Sequence, residues 1–373
     1  MKPHATPITR RHFLAAAGAT ALAAKASPVL NSKHFTQGYA CAASRGELRV
    51  YSTHEPAWTL IQTLPSEAPI SLVIDPATQT LHVLHAVSEY RGLPCGYIES
   101  FGINNHSGQL KPLAIQPLSL SATHPSHMAL SLDGKVLAVA IHGGSAYNLL
   151  PILKDGRPGR PIAIRKETGL SSASPSRPGH IIFNPLGNRL FALDQGTSTL
   201  SIFSAQPGLP VLTRLSLPEE SRLTHLAFHA ETNLLFANDA TTGSLLTIQH
   251  NPANDGLSLQ PQIIQGNFNG PLVMHAATQT LFAAAASSIH LYRIPAGSRE
   301  LQPLQEFALP QSLSSIRNLL LDSENHRLHL ATESGIYSAE INPQDSHLSP
   351  FTQVAAAAHA VVCFAPSRQS NLV

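Results

Sequence analysis

The sequence predicts an all-β protein, a seven-bladed β-propeller whose blades are four-stranded sheets. Segments 124–152, 177–203 and 223–248 repeat one plan: an apolar strand, a polar turn, a second apolar strand, a Gly/Ser/Thr-rich turn and a third strand. Helical periodicity is almost absent from the 373 residues. Units of this kind recur at a spacing typical of propeller blades; they begin near residues 68, 124, 177, 222, 270 and 315.

Each element of a unit fits its place in a blade. The second strands, such as 135–141, are continuous apolar runs, as expected for strands covered on both faces. The third strands, such as 199–203 and 289–294, alternate in the manner of half-exposed strands. Asp133-Gly134 reads as the turn of a hairpin. The units therefore predict sheets that pack face to face around an axis.

The two ends of the chain complete the seventh blade. Residues 38–63 resemble strands two, three and four, and the missing first strand is predicted within 358–366. Pairing of the N- and C-terminal strands would close the ring and leave no open sheet edge. A pair of β-sandwiches is the alternative fold.

Residues 1–26 read as a twin-arginine signal peptide rather than as part of the fold. Arg10 and Arg11 precede Phe13-Leu14, an Ala-rich run and a small-x-small site. Such a signal engages the twin-arginine export machinery and exports folded proteins, so residues 27–373 are expected to work as one periplasmic or extracellular domain. An ordinary helical N-terminus is the alternative.

Charge, apolar runs and cysteine spacing argue against several functional classes. Residues 1–26 carry four basic and no acidic side chains, so their removal changes the formal net charge from +2 to −2. No basic patch suggests nucleic acid, and no apolar run of the body reaches the ~20 residues of a membrane span. Cys41, Cys95 and Cys363 form no metal or haem motif, so no metal and no cofactor is expected. They read as buried fillers, although one pair could form a disulfide in an oxidising compartment.

The sequence pattern of these units resembles that of the lactonase-type seven-bladed propellers, the 6-phosphogluconolactonase family. The resemblance is carried by HPSHMALSLDG, RPGHIIFNPLGNRLFALDQG and LTHLAFHAETNLLFANDATTGSL, and it extends over nearly all of 34–366. It implies hydrolysis of a sugar-derived or other lactone. It also implies an Arg-His pair at one blade edge and a Glu sixteen residues after that Arg.

This sequence departs from that pattern in the two units that match best. Aligned on one unit, Thr224 and Ala240 replace the family's Arg and Glu, and His225 remains. Aligned on the other, Gly179 and Gln195 replace them, and His180 remains. Glutamine and alanine cannot act as general bases. The resemblance therefore predicts the fold more strongly than the activity.

The candidate site is placed at the channel mouth. His180, His225 and Asp239 are the candidate proton carriers, while His127 and Gln195 are expected beside them as substrate contacts. Arg177 and Arg222 lie two residues before Gly179 and Thr224, which replace the family's arginine. A two-residue step on a strand keeps the side chain on the same face. Either guanidinium could therefore reach the channel mouth and hold an anion.

Structural roles compete with these assignments. The repeated histidines could cap backbone groups, and Asp194 and Asp239 could cap the turns that follow them. His142 is either a channel residue or a turn residue, whereas His82, His85 and His329 are expected to be buried and hydrogen-bonded.

Two functions follow from the sequence. The first is an exported lactone hydrolase whose partner is a small lactone or another anionic ligand at the channel mouth. The second is a propeller with an eroded site that binds a small ligand or a protein, since propeller loops converge on one face.

Overall fold

The computed structural model describes residues 35–44, 46–53, 57–171, 174–218, 220–310, 313, 316–322, 326–356 and 361–368. Within these ranges the chain forms 28 strands in seven four-stranded sheets and no α-helix. The predicted seven-bladed propeller is confirmed. Residues 1–26, which carry the predicted signal peptide, lie outside the described residues. Within the described residues, no helix has the length and apolar character to cross a membrane.

The strands of each blade run antiparallel from the channel outward. The first four blades contain, from the innermost strand, β28 (Val361–Arg368), β1 (Phe35–Ser44), β2 (Glu47–Ser52) and β3 (Thr59–Pro65); β4 (Pro69–Asp75), β5 (Thr80–His85), β6 (Tyr97–Ile103) and β7 (Leu110–Pro117); β8 (Pro125–Leu130), β9 (Val136–Ile141), β10 (Ala146–Pro151) and β11 (Ala163–Lys166); and β12 (Pro178–Phe183), β13 (Arg189–Asp194), β14 (Thr199–Ser204) and β15 (Val211–Ser216). Blades 5 to 7 contain β16 (Leu223–His229), β17 (Leu234–Asp239), β18 (Ser244–Asn251) and β19 (Gly256–Gln265); β20 (Phe268–His275), β21 (Thr280–Ala285), β22 (Ser288–Arg293) and β23 (Gln302–Ala308); and β24 (Asn318–Asp322), β25 (Arg327–Ala331), β26 (Ile336–Glu340) and β27 (Thr352–Ala355).

The chain ends share blade 1, as predicted. β28 from the C-terminal side is the innermost strand, and β1, β2 and β3 from the N-terminal side follow it. The blade 1 residues Ala40 and Tyr51 pack in one buried cluster with Ile336 of blade 7. The Trp58 backbone N–H also donates to the Val354 carbonyl at 2.8 Å, which ties blade 1 to blade 7. Closure of the ring therefore rests on both packing and hydrogen bonding.

The core lies between neighbouring blades. The second strands are almost completely buried, in agreement with their continuous apolar sequences; β9 and β13 show this along nearly their whole length. Phe191 of β13 packs with Leu235 of β17 in a cluster that joins blades 4 and 5. The Asp133-Gly134 hairpin turn joins β8 to β9, and Gly134 adopts a φ of 70°, a left-handed conformation that favours glycine.

Buried histidines support the blade interiors. His82, His85 and His329 are buried, as expected. His82 Nδ1 bonds the Ser100 hydroxyl at 2.8 Å, and His85 Nδ1 bonds the Glu67 carbonyl at 2.5 Å.

An irregularity at the start of the innermost strands positions the site. The pairing of β12 with β13 shifts between Pro178 and Ile181, and that of β16 with β17 shifts between Leu223 and Leu226. β8 shows the same kind of shift after Pro125. An extra residue in one strand interrupts the alternation of side chains between the two faces. The direction in which side chains point at each shift therefore depends on the bulge and does not follow from the simple alternation of a strand.

Candidate functional site at the channel mouth

Three histidines from consecutive blades lie side by side along the channel wall with their rings tilted against one another, and this row is called the histidine stack. His127, His180 and His225 occupy equivalent places on β8, β12 and β16. The ring centroids of His127 and His180 are 4.0 Å apart, and those of His180 and His225 are 5.5 Å apart. The sequence predicted this common position, and the structure brings the three side chains together.

Two of the stacked rings also join adjacent blades. His127 Nδ1 accepts a hydrogen bond from the Ile181 N–H at 3.4 Å, and His180 Nδ1 accepts one from the Leu226 N–H at 3.3 Å. Acceptance at Nδ1 places the proton of each neutral ring on Nε2. His225 differs, because its Nδ1 is buried and has no hydrogen-bond partner among the described residues.

The stacked histidines are uncharged at neutral pH. Burial lowers the pKa of His127 and of His225 to about 4, and burial together with the two neighbouring imidazoles lowers the pKa of His180 well below its usual value. All three side chains nevertheless remain half-buried, because they border the open channel. A neutral imidazole with a lowered pKa can donate and accept hydrogen bonds, but it takes up a proton only weakly.

The histidine stack lies between two cavities of the channel. The cavity at the mouth has a volume of about 580 Å³ and is bordered by all three histidines. A second cavity of about 510 Å³ is bordered by His127 and His180 and otherwise mainly by apolar side chains, among them Phe183, Phe228 and Met274. The mouth cavity carries more polar side chains, which include Ser71, His142, Gln195, Asn269 and Arg317.

Three polar atoms on the wall of the mouth cavity are buried and have no partner among the described residues. They are Thr224 Oγ1, His225 Nδ1 and Asn318 Oδ1. Buried polar groups normally form hydrogen bonds, since leaving one unpaired costs about 1 to 3 kcal/mol. The side chains that carry these atoms border the cavity, although the atoms themselves have almost no accessible surface.

Blade 7 holds an Arg–Glu pair at the spacing expected for the family. Leu319 pairs with Leu330 as Ile181 pairs with Ala192 and Leu226 with Ala237. The residue two positions before Leu319 is Arg317, and Glu333 follows Arg317 by sixteen residues.

Arg317 thus occupies the position of Gly179 and Thr224, and Glu333 that of Gln195 and Ala240. Arg317 Nη2 lies 3.0 Å from Glu333 Oε1, with both side chains about half exposed. This pair lies outside the two units that match the family pattern best, so the sequence did not predict it. A search for an Arg followed sixteen residues later by a Glu would have found it.

His142 and Gln195 take the position of Glu333 in blades 3 and 4. Each precedes the same kind of turn after its second strand, and both border the mouth cavity. His142 is therefore a channel residue as well as a turn residue. Burial, followed by the nearby Arg177 charge, lowers the pKa of His142. Gln195 packs against Gly179, where a Cβ would approach its side-chain atoms to 3.2 Å.

Arg177 and Arg222 are exposed and are not among the residues bordering the mouth cavity. The strand bulge that follows each arginine explains this placement, because it cancels the two-residue rule on which their expected position depended. Their backbone N–H groups donate to Asp194 Oδ1 at 2.8 Å and to Asp239 Oδ1 at 2.9 Å, respectively.

Asp194 and Asp239 are occupied by capping hydrogen bonds. Asp239 is buried and accepts further bonds from the Thr241 N–H at 3.0 Å and the Thr242 hydroxyl at 3.0 Å. Burial alone would raise the pKa of Asp239, but these hydrogen bonds outweigh it and lower the pKa. Asp239 is thus an ionised cap, and it does not border the mouth cavity.

No group of three or more His, Cys, Asp or Glu side chains in the described part of the chain is arranged to hold a metal ion.

Comparison with protein families identifies the fold family. A family described as "Lactonase, 7-bladed beta-propeller" matches residues 46–258, more than half of the chain. The chain belongs to this lactonase family. No curated protein matches the sequence of this lactonase-family chain.

Solved structures share the fold at low sequence identity. The periplasmic gluconolactonase PpgL of Pseudomonas aeruginosa has a TM-score of 0.75 and 18% identity, with 89% of this chain and 100% of that chain covered. A candidate 6-phosphogluconolactonase from Bacteroides fragilis has a TM-score of 0.72 and 14% identity, over 90% and 99% of the two chains. A Lactobacillus plantarum protein gives 0.74 and 13%, over 88% and 99%. At 13–18% identity, these similarities show only that the fold is shared.

Proposed function

We propose that this chain is a lactone hydrolase that acts at the mouth of its channel. The observation that carries the proposal is the Arg317–Glu333 pair at the family's spacing: Arg317 borders the mouth cavity, and Glu333 is ion-paired with it. A surface ion pair of this exposure contributes about 1 kcal/mol or less to stability. Both charges can therefore be exchanged for contacts to a ligand at little cost to folding.

The proposed reaction assigns one role to each charge. Arg317 donates hydrogen bonds to the lactone carbonyl oxygen and stabilises the negative charge that develops there when water attacks. Glu333, which is half exposed and reaches solvent, takes a proton from that water. The bond between the carbonyl carbon and the ring oxygen then breaks, and the ring oxygen takes up the proton. The product is a hydroxy acid, which releases its carboxylic proton to solvent, and the resulting carboxylate pairs with Arg317.

The polar wall of the cavity would orient the substrate. The side chains of His225, Asn318 and Thr224 border the cavity and carry polar atoms without partners among the described residues, so a small side-chain rotation would let them bind the hydroxyl groups of a sugar-derived lactone. His180 and His127 complete the wall as neutral rings. In this proposal the histidines position substrate, and proton transfer is assigned to Glu333 instead of His180, His225 or Asp239.

The location of the activity is part of the proposal. The twin-arginine stretch at Arg10-Arg11 supports export of the folded chain to the periplasm or beyond. Replacement of both arginines by lysine should retain the protein in the cytoplasm, as measured by cell fractionation. Export that persists in a host without the twin-arginine machinery would contradict this route.

The test is lactone hydrolysis by the full chain and three kinds of variant. Glucono-δ-lactone, its 6-phosphate and a simple aliphatic lactone are assayed by acid release. Arg317→Ala and Glu333→Gln should each lower kcat/KM by about 100-fold or more. Arg299→Ala, which removes an exposed arginine outside the cavity, is the matched control and should retain the parent value.

Two results would overturn the assignment of residues or of function. If Arg177→Glu and Arg222→Glu abolish hydrolysis while Arg317→Ala does not, the anion is held by the exposed arginines. If the hydroxy acids bind and Arg317→Ala abolishes binding, but no lactone is turned over, the chain is a ligand-binding propeller.

A further inference from the structure

Two buried cysteines meet where the ring closes. Cys41 lies on β1 and Cys363 on β28, the neighbouring strands that bring the two ends of the chain together in blade 1. Both side chains are buried in one cluster, and the Cys41 thiol lies close enough to the Cys363 thiol to raise its pKa. Cys95 is also buried but packs in a separate cluster between blades 2 and 3. All three thiols are free in this structure.

The repeat gives Cys41 a defined position on the second strand of blade 1. In blade 4, Ile182 pairs with Phe191, which in turn pairs with Ile202 just before a shift in register. Cys41 pairs with Val50 just before the corresponding shift, so Cys41 occupies the position of Phe191.

The packing of β28 places Cys363 on the same face of blade 1 as Cys41. Val361 and Cys363 pack in the cluster that contains Cys41, whereas Val362 packs with Ala42 in the cluster toward blade 7. Side chains alternate between the two faces of a strand. Cys363 and Cys41 therefore point to the same side of the blade from adjacent strands.

We infer that Cys41 and Cys363 are a disulfide site that clasps the first and last strands of the propeller. Directly opposed residues on adjacent strands have Cβ atoms about 4.5–5.5 Å apart, and a disulfide requires about 3.5–4.5 Å, so a small local adjustment is sufficient. The bond would join residues near the two ends of the described chain. Because it closes nearly the whole chain into one loop, it would restrict the unfolded state more than a short-range bond would.

Formation of the bond requires an oxidant and an opening of the blade. Burial raises the pKa of the Cys363 thiol well above its usual value, which suppresses the reactive thiolate in the closed ring. When β28 separates from β1, one thiolate attacks a low-molecular-weight disulfide such as oxidised glutathione and releases one glutathione thiol. The second cysteine then attacks the mixed disulfide, releases the other glutathione thiol and forms the bond between Cys41 and Cys363.

The experiment incubates the full chain with oxidised glutathione in guanidinium below and within its unfolding transition. The chain is then denatured, alkylated with N-ethylmaleimide and analysed by intact mass and peptide mapping. The oxidised chain should carry one label, on Cys95, against three labels after dithiothreitol treatment, and one peptide pair should join Cys41 to Cys363. The oxidised chain should also melt about 5 °C or more above the reduced chain.

Matched variants separate this pair from general oxidation. Cys41→Ala and Cys363→Ala should each lose the bond and the shift in melting temperature, whereas Cys95→Ala should keep both. The inference is overturned if Cys41 and Cys363 remain free after oxidation within the transition, or if Cys95 is a bonded partner. It is also overturned if the oxidised chain melts no higher than the reduced chain.

Discussion

The histidine stack should make the fold sensitive to mild acid, and His225→Asn should remove a defined part of that sensitivity. The substitution is mild because blade 7 already carries Asn318 at the equivalent position. His225 also has an unpartnered Nδ1 within the described part of the chain, so no interblade hydrogen bond is lost at that atom. The change therefore removes a titrating group while leaving a polar side chain of related shape.

The magnitude follows from the pKa of His225 in the two states. Burial lowers this pKa from 6.5 to about 4 in the folded state. Below pH 6.5 the unfolded chain binds a proton that the folded chain does not, so stability falls as the pH decreases and the loss is complete below about pH 4. Between pH 7.5 and pH 5 the expected loss from this residue is about 2 kcal/mol, and less where channel water screens the charge.

The assay is urea unfolding of the parent and variant chains at pH 7.5, 6.5, 5.5 and 5. The free energy of unfolding should decrease toward acid in both chains. Between pH 7.5 and pH 5 it should decrease by about 2 kcal/mol less in His225→Asn than in the parent chain. His106→Asn, which changes an exposed histidine, is the control and should follow the parent. Equal slopes for the parent and His225→Asn would refute the claim that His225 stays uncharged in the folded channel.

Three further predictions concern stability. Asp239→Ala should lower the free energy of unfolding by about 2 to 4 kcal/mol at pH 7, because the Arg222 and Thr241 N–H groups lose their buried acceptor; a change under 0.5 kcal/mol would exclude the capping role. Asn238→Ala should cost about 1 to 3 kcal/mol in chemical denaturation, because its side chain donates to the Gly270 carbonyl of blade 6 at 2.5 Å. Deletion of residues 361–373 should abolish cooperative thermal unfolding followed by circular dichroism, since blade 1 loses its innermost strand; an unchanged transition would argue against ring closure by β28.

The fold could be predicted because its determinants are local and repeated. Apolar second strands and turn residues recur in each unit, and the incomplete unit at 38–63 required a partner strand from the other end. A strand within 358–366 was the candidate, and β28 (Val361–Arg368) fills that place. In the other six blades all four strands follow one another in the chain, so the repeat alone was enough to predict them.

The site could be predicted only in part, because side-chain direction at the channel depends on the bulges. His127, His180, His225 and Gln195 reached the mouth because equivalent places in a repeat share an environment. Arg177 and Arg222 did not, since a single extra residue changes the face that a strand presents.

The Arg317–Glu333 pair was missed for a different reason. Blade 7 has Asn318 where the best-matching units have histidine, and SIRNLLLDSEN lacks the Pro-x-Gly turn of the unit at 177–188. These differences hide the equivalence of Arg317 with Gly179 and Thr224 in the sequence. Once the register of β24 with β25 is known, the spacing of sixteen residues is plain.

The most direct test of the account is a crystal structure of the chain with the hydroxy acid released from glucono-δ-lactone. The account predicts a carboxylate within about 3 Å of the Arg317 guanidinium, with hydroxyl groups on His225 and Asn318. Binding of the acid at Arg177 or Arg222, or in the apolar cavity beyond the histidine stack, would contradict it.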